Sequence, residues 1–360
     1  MNECEQEVDG APTDLLPMMF LKRLLAIFSV LVLLAALPLG GWFWWQYRQR
    51  HPVIQQVPRQ GGLNTTLWVL SDLHFGSQVR GRDAQGKSTW IDAMPVRNEM
   101  DRQMRGITGK PWPKAIGGTV GAASALLIAG DLTQDGKQSE WDQFVKFYDL
   151  DQPAADAVPV YECIGNHDEQ HGSSVPAYVA ARHGGKYYAV DFGDLHVVNL
   201  SAGPDAAGLD WLNRDLAATG CERPVILYMH YPLLGPWSRS WFGWNTPVTE
   251  RFGEIVAKFN IVAILHGHFH VPGRYQWRGI DVYNIGSIQH GARCFGVIQV
   301  TDTTFTYGSW NAELKNWWWW HSKPINSPAR SATAAGEISG VAPSRGLLTS
   351  PAIPYPVKAE

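Results

Sequence analysis

Apolar residues along this chain gather into short unbroken runs separated by polar turns. Candidate strands are Thr66–Ser71 (TLWVLS), Ala125–Ala129 (ALLIA), Val158–Ile164 (VPVYECI), Lys186–Phe192 (KYYAVDF), Leu195–Leu200 (LHVVNL), Pro224–Met229 (PVILYM) and Ile261–Leu265 (IVAIL). Continuous runs, rather than strict alternation, suit strands covered on both faces. Helical patterns fall between them at Ser139–Leu150, at Leu209–Thr219 with Gly220 closing it, and at Pro247–Phe259. This alternation predicts a layered α/β domain. Gly279–Ser287 and Cys294–Trp310 read as further, partly antiparallel strands.

A different pattern opens the chain. Leu24–Tyr47 carries no charge at all, and at about 1.5 Å per residue a helix over it exceeds a hydrocarbon core of roughly 30 Å. The run is therefore expected to be an N-terminal transmembrane helix, with Trp42, Trp44, Trp45 and Tyr47 at a membrane interface. A cleaved signal peptide is the competing expectation, but no convincing small-residue cleavage site follows. Lys22 and Arg23 on one flank nearly balance Arg48, Arg50 and Arg59 on the other. A single-pass membrane protein is expected, the first flank slightly favouring a globular domain outside the cytoplasm. The expected organisation is a tail (1–23), the anchor (24–47), a linker (48–62), one globular domain (63–321), and a Ser-, Pro-, Ala- and Gly-rich disordered tail (322–360).

Composition narrows the function. A formal charge of −3 over 360 residues shows no basic excess, so no nucleic-acid polymer is expected as a partner. The cysteines Cys4, Cys163, Cys221 and Cys294 are far apart and form no CxxC pair. They suggest neither a zinc ribbon nor a disulfide framework.

The chemistry lies where the strands end. TLWVLS is followed by Asp72 and His74, ALLIA by Gly130 and Asp131, VPVYECI by Gly165, Asn166, His167 and Asp168, PVILYM by His230, and IVAIL by His266, Gly267, His268 and His270. Strands sharing a sheet would bring these groups to one edge, where α/β proteins bind ligands. Carboxylate, amide and imidazole donors without a thiolate suit Mn, Fe or Zn. Each fragment alone is commonplace as a cap, a turn or a solvated loop; five in a row, each after an apolar strand, are not.

The series Asp72-x-His74, Gly130-Asp131, Gly165-Asn166-His167-Asp168, His230 and Gly267-His268-x-His270 resembles the full signature of the calcineurin-like metallophosphoesterase superfamily, over about Leu63 to Asn311. The resemblance implies a four-layer fold, a central β-sandwich of two mixed sheets flanked by helices. It also implies two metal ions, of which Mn, Fe or Zn are expected. Asp72, His74 and His270 resemble the ligands of the first, Asn166, His230 and His268 those of the second, and Asp131 the bridging carboxylate. His167 matches the catalytic acid, and a metal-bridging hydroxide would be the nucleophile. His266 matches no ligand and is expected to pack or support the site. Asp168 is expected to orient the loop or His167. A carboxylate that pairs with the catalytic histidine in relatives has no secure match here, since Asp135 stands at an unexpected offset.

The expected activity is hydrolysis of a phosphoester. Cyclic nucleotides, phospholipids and nucleotide diphosphates are alternative substrates, and a non-catalytic, metal-stabilised interaction domain is the contrasting class. Two insertions bear on substrate choice. The segment between His74 and Asp131 is long enough for a wall or lid. Tyr231–Asn245 sets Trp237, Trp241, Phe242 and Trp244 around Arg239, a substrate-binding rim or a loop packed on its own domain; Trp237 and Arg239 are the candidate contacts. The run Trp317–Trp320 covers a sheet edge or meets a membrane interface, the latter favoured by the anchor.

Overall fold

The computed structural model describes residues 52–360 except 83, 234–245, 289–292, 326–347 and 350–360, and of the first 51 residues only 23, 27–28, 41–42, 44 and 47. These last are helical and exposed, and they form a unit separate from Val53–Glu360. No helix among the described residues is long and apolar enough to cross a membrane. Most of Leu24–Tyr47 lies outside the described residues, as do Trp237 and Arg239.

In chain order the main unit runs β1 (Asn64–Leu70), β2 (Gln78–Arg82), β3 (Ser88–Asp92), α1 (Met94–Arg105), β4 (Ala123–Ala129), α2 (Gln138–Phe147), β5 (Val160–Cys163), α3 (Val175–His183), β6 (Tyr188–Phe192), β7 (Leu195–Asn199), α4 (Ala206–Thr219), β8 (Val225–Tyr228), α5 (Thr246–Val256), β9 (Ile261–His266), β10 (Gly273–Trp277), β11 (Ile280–Asn284), β12 (Cys294–Thr301), β13 (Thr304–Asn311), β14 (Asn316–Pro324) and β15 (Leu348–Thr349). The strands form two mixed sheets, ordered β15-β14-β13-β12-β1-β4-β5 and β10-β11-β9-β8-β7-β6, with β2 and β3 a separate hairpin.

Three apolar layers hold the sheets and helices together. Leu67 and Val69 of β1 point into the space between the sheets, where they meet Tyr228 of β8 and Leu265 of β9. Their neighbours Trp68 and Leu70 point outward against Met100 and Met104 of α1 and Phe144 of α2. On the second sheet Val198, Leu227 and Ile264 face outward onto Leu212 of α4 and Phe252 of α5. Both faces of each central strand are thus dry, which accounts for the unbroken apolar runs.

Within the first sheet β1, β4 and β5 are parallel, and within the second β7, β8 and β9 are parallel. The five motif-bearing strands are therefore divided three and two between the sheets, rather than sharing one.

Two expectations at the C-terminal end are corrected. β14 continues to Pro324, past the expected boundary at 321, and Leu348–Thr349 pairs with it. The backbone ladder with β13 extends the domain, and Ile325 is buried in the central layer. The tryptophan run is an inner strand, with Trp319 buried between the sheets and Trp317 stacked on Trp112 at 4.6 Å. Sheet packing, not a membrane interface, accounts for those two rings. Cys163 and Cys294 are buried and free, in keeping with ordinary core packing.

Candidate metal centre

Three of the five motif-bearing strand ends, those of β1, β4 and β9, turn sharply. Asp72 (φ 55°), His74 (46°), Asp131 (52°), His268 (76°) and His270 (57°) all hold left-handed backbone, which costs a non-glycine residue about 1–3 kcal/mol and tends to cluster at functional sites. The loops stabilise one another in compensation. The Asp72 N–H donates to the Gly130 carbonyl at 3.0 Å and the His74 N–H to the Asp131 carbonyl at 2.9 Å. The His268 N–H donates to the Asp72 carboxylate at 3.1 Å, and the His167 N–H to Asp131 Oδ1 at 2.9 Å. Two glycines allow the close approach: a Cβ on Gly165 would lie 2.2 Å from Asp131 Oδ1, and one on Gly267 1.7 Å from Ser71 Oγ.

The side chains form two groups that share a residue. Ligand atoms of Asp72, His74, Asp131 and His270 lie within 4.8 Å of one another, and so do those of Asp131, His230 and His268. His270 Nε2 stands 3.1 Å from Asp72 Oδ1, and Asp131 Oδ2 is 3.6 Å from His74 Nε2 and 3.3 Å from His230 Nε2. Asn166 Oδ1 joins the second group, 3.0 Å from His230 Nε2 and 2.9 Å from His268 Nδ1. Ring nitrogens also face one another, His74 Nε2 and His270 Nε2 at 3.2 Å and His230 Nε2 and His268 Nδ1 at 3.3 Å. Imidazole, amide and carboxylate donor atoms converging on one space are a set that fits divalent cations.

Protonation favours the same use. Burial pulls His74 down to about 3 and His268 to about 4, leaving neutral imidazoles with available lone pairs. The His230 Nδ1–H donates to the Ala129 carbonyl at 2.9 Å, so its Nε2 faces the cluster. Burial opposes charge on His230 too, but Asp131 and Asp72 outweigh it and raise the ring to about 9. A cation between the ring and Asp131 would take over that attraction. Asp131 is buried as well, yet His230 and His74 hold it below the usual carboxylate range.

The family model of calcineurin-like phosphoesterases matches residues 65–272. The chain belongs to the calcineurin-like phosphoesterase family. A curated relative, the 3',5'-cyclic adenosine monophosphate phosphodiesterase CpdA of Haemophilus influenzae, is 29% identical over 166 residues, 44% of this chain and 58% of the relative. The chain thus spans little more than half of that relative's length. Among solved structures, a dimetal phosphatase of Danio rerio superposes with a TM-score of 0.52 at 13% identity, covering 73% of this chain and 99% of that one. That likeness is one of fold. Family membership supports a metal-dependent phosphoesterase and divalent metal ions in the cluster.

Other residues support the ligand cluster from outside it. His167 is not oriented by a carboxylate; its Nδ1–H donates to the Gln134 carbonyl, one residue before Asp135. The Asp135 carboxylate instead pairs with Lys137 at 2.5 Å. Asp168 orients the loop, the first of its two expected roles. It accepts from the N–H groups of Leu132 (3.1 Å), Thr133 (2.8 Å) and Gly165 (2.8 Å) and from Thr133 Oγ1 (2.7 Å), tying the two motif loops together. Burial and then Asp131 push its carboxyl up to about 6, against those donors. His266 closes β9, fully buried, and lies outside both ligand groups, as expected of a packing residue.

Sequence reasoning missed Arg97. The insertion after His74 is no free lid: α1 buries Arg97, which donates to the Leu73 carbonyl (2.8 and 3.1 Å), to the His74 carbonyl and to Ser77 Oγ (2.9 Å). Its guanidinium also sits 4.7 Å from the centre of the Phe75 ring. It clamps the loop that carries Asp72 and His74. A charged residue at a core-facing helix position breaks the apolar period that would have revealed both the helix and its role.

Proposed function

We propose that this protein is a dinuclear metal-dependent phosphodiester hydrolase. The observation that carries the reading is Asp131, whose carboxylate belongs to both ligand groups and would thus serve two ions. Asp72, His74, Asp131 and His270 would hold one ion, and Asp131, Asn166, His230 and His268 the other. When bound, two divalent ions neutralise phosphate oxygens and lower the pKa of water enough to give a nucleophile at neutral pH. The chain's own residues do the rest. His167 donates Nδ1–H to the Gln134 carbonyl, so in the imidazolium form the second N–H is on Nε2, and that proton would pass to the departing alkoxide, leaving a neutral ring. Its ring lies edge-on to His74 with centroids 4.5 Å apart, so that proton is delivered beside the first ligand group.

Diesters are preferred over monoesters because the curated relative is a cyclic-nucleotide phosphodiesterase, and a cyclic nucleotide is the first substrate class to try. Parallel assays on bis(p-nitrophenyl) phosphate and p-nitrophenyl phosphate test this: faster monoester turnover would refute the diester reading.

Leu24–Tyr47 is proposed as a single-pass anchor, on the strength of its uncharged length. Carbonate extraction should leave the protein in the membrane fraction, whereas release would refute the anchor.

A further inference from the structure

His167 is aimed by a peptide group, so its position depends on what holds that peptide. The peptide joining Gln134 to Asp135 bonds in two directions. Its carbonyl accepts the His167 Nδ1–H, and its N–H, that of Asp135, donates to Glu140 Oε2 at 2.8 Å. A trans peptide is planar, with C=O and N–H on opposite sides, so one rigid unit carries both bonds. A carbonyl oxygen only accepts, which fixes the hydrogen on Nδ1 of the ring. Carboxylate, peptide and imidazole thus stand in one chain of hydrogen bonds.

Glu140 is itself held in place. It is the third residue of α2 and only 4% exposed. Its Oε2 also accepts the Lys137 N–H at 3.3 Å. The turn after His74 presses against it, since a Cβ on Gly76 would stand 2.6 Å from Glu140 Cγ and 2.7 Å from Oε1. The other end of the loop is tied as well: the Gln134 N–H donates to the Phe75 carbonyl at 2.9 Å, and Asp168 accepts the Thr133 N–H. Between these two anchors the peptide has little freedom to turn away from His167. Hydrogen bonds in series polarise one another, so the carboxylate on the N–H also makes the carbonyl a stronger acceptor for the ring.

We infer that Glu140 is a positioning residue for the proton donor and acts on His167 through the Gln134 carbonyl. It does at one remove what a carboxylate bonded directly to an imidazole does, holding the ring in one tautomer and one orientation. With Glu140 gone, the peptide can rotate and the Nε2–H loses its line to the departing oxygen. The inference rests on the hydrolase reading and adds to it the group that aims His167.

The test uses two diesters that differ only in leaving group, methyl p-nitrophenyl phosphate and methyl phenyl phosphate, on the full chain loaded with manganese. p-Nitrophenolate departs with little help from an acid, whereas phenolate, the stronger base, needs the proton. Glu140→Ala should lower kcat for the phenyl ester about tenfold more than for the p-nitrophenyl ester, the worth of one charge-assisted hydrogen bond, at unchanged metal content. Glu140→Gln keeps an acceptor for the Asp135 N–H and should recover part of that difference. In a His167→Ala background Glu140→Ala should no longer move the ratio of the two esters, because the residue it acts through is gone. Equal losses on both esters, or the same change of ratio without His167, would reduce Glu140 to a helix cap and overturn the inference. Glu140→Asp, a methylene short of the Asp135 N–H, gives the same comparison should Glu140→Ala not fold. Proton NMR of the zinc-loaded protein separates this claim from the hydrolase reading. The His167 Nδ1–H signal, assigned by its loss in His167→Ala, should exchange slowly with water in the wild type and quickly in Glu140→Ala. If neither ester turns over but that change is seen, the hydrolase reading fails and the coupling of Glu140 to His167 stands; unchanged exchange overturns the coupling.

Discussion

His74 and His270, separated by 196 positions in the chain, meet Nε2 to Nε2 at 3.2 Å. Neither ring reaches that point from a regular strand: His74 follows β1 at φ 46° and His270 follows β9 at φ 57°. Two sheets with parallel central strands bring the loops together, and backbone strain then turns the rings inward. An arrangement that aims ring nitrogens at one another gains little as protein structure alone and much around a cation.

Asp131→Asn should damage both ligand groups together, because one carboxylate serves each. Elemental analysis of the purified variant should find less metal per chain than in the wild type. Losing several kcal/mol of transition-state stabilisation corresponds to roughly a thousandfold fall in kcat/KM. Full metal content with wild-type turnover would contradict the shared role.

Arg97→Met leaves the buried Leu73 carbonyl without its side-chain donor and the His74 carbonyl with the Ser77 N–H alone, at a cost of about 3 kcal/mol in stability. Because those carbonyls belong to the loop of Asp72 and His74, manganese affinity should fall by about 10–100-fold. Arg97→Lys should recover part of that affinity. Urea unfolding and competition with a chelator separate the two effects, and a variant that is less stable but binds manganese normally would reduce Arg97 to packing.

His321 makes a prediction about pH far from the ligand cluster. Burial, helped by Arg274, lowers its ring from the ordinary value to about 4, and Nδ1 is 2.7 Å from the Tyr283 hydroxyl. Its folded pKa therefore lies below the unfolded one. The stability this contributes is fully present above about pH 6.5 and is lost as pH falls toward 4, by up to roughly 3 kcal/mol. His321→Gln should flatten the fall in unfolding free energy between pH 6.5 and 4 relative to the wild type; an unchanged slope would remove His321 from that account.

Much of this was legible in the sequence because it depends on local pattern. Apolar runs such as Leu67–Leu70 and Ile261–Leu265 marked strands buried on both faces, and the polar residues just after them marked one functional edge. The division of those strands between two sheets was not visible in the pattern, since a strand buried against helices on one side and a second sheet on the other looks like one buried against helices on both. Other features escaped because a side chain contradicts its surroundings. Arg97 occupies a core position of α1, and Trp317–Trp320 offers no polar alternation to mark it as a strand. The orienting group on His167 is a main-chain carbonyl, which no residue identity could reveal.

The most direct test strips the protein of metal, reloads it with Mn, Fe or Zn, and follows bis(p-nitrophenyl) phosphate hydrolysis by the wild type and His167→Ala. The account predicts turnover only in the reloaded wild type, and a fall of about 10²–10⁴-fold in His167→Ala at unchanged metal content, the range expected for a lost proton donor. Metal-loaded His167→Ala turning over at the wild-type rate, or a metal-loaded wild type with no turnover of either a diester or a monoester, would contradict it.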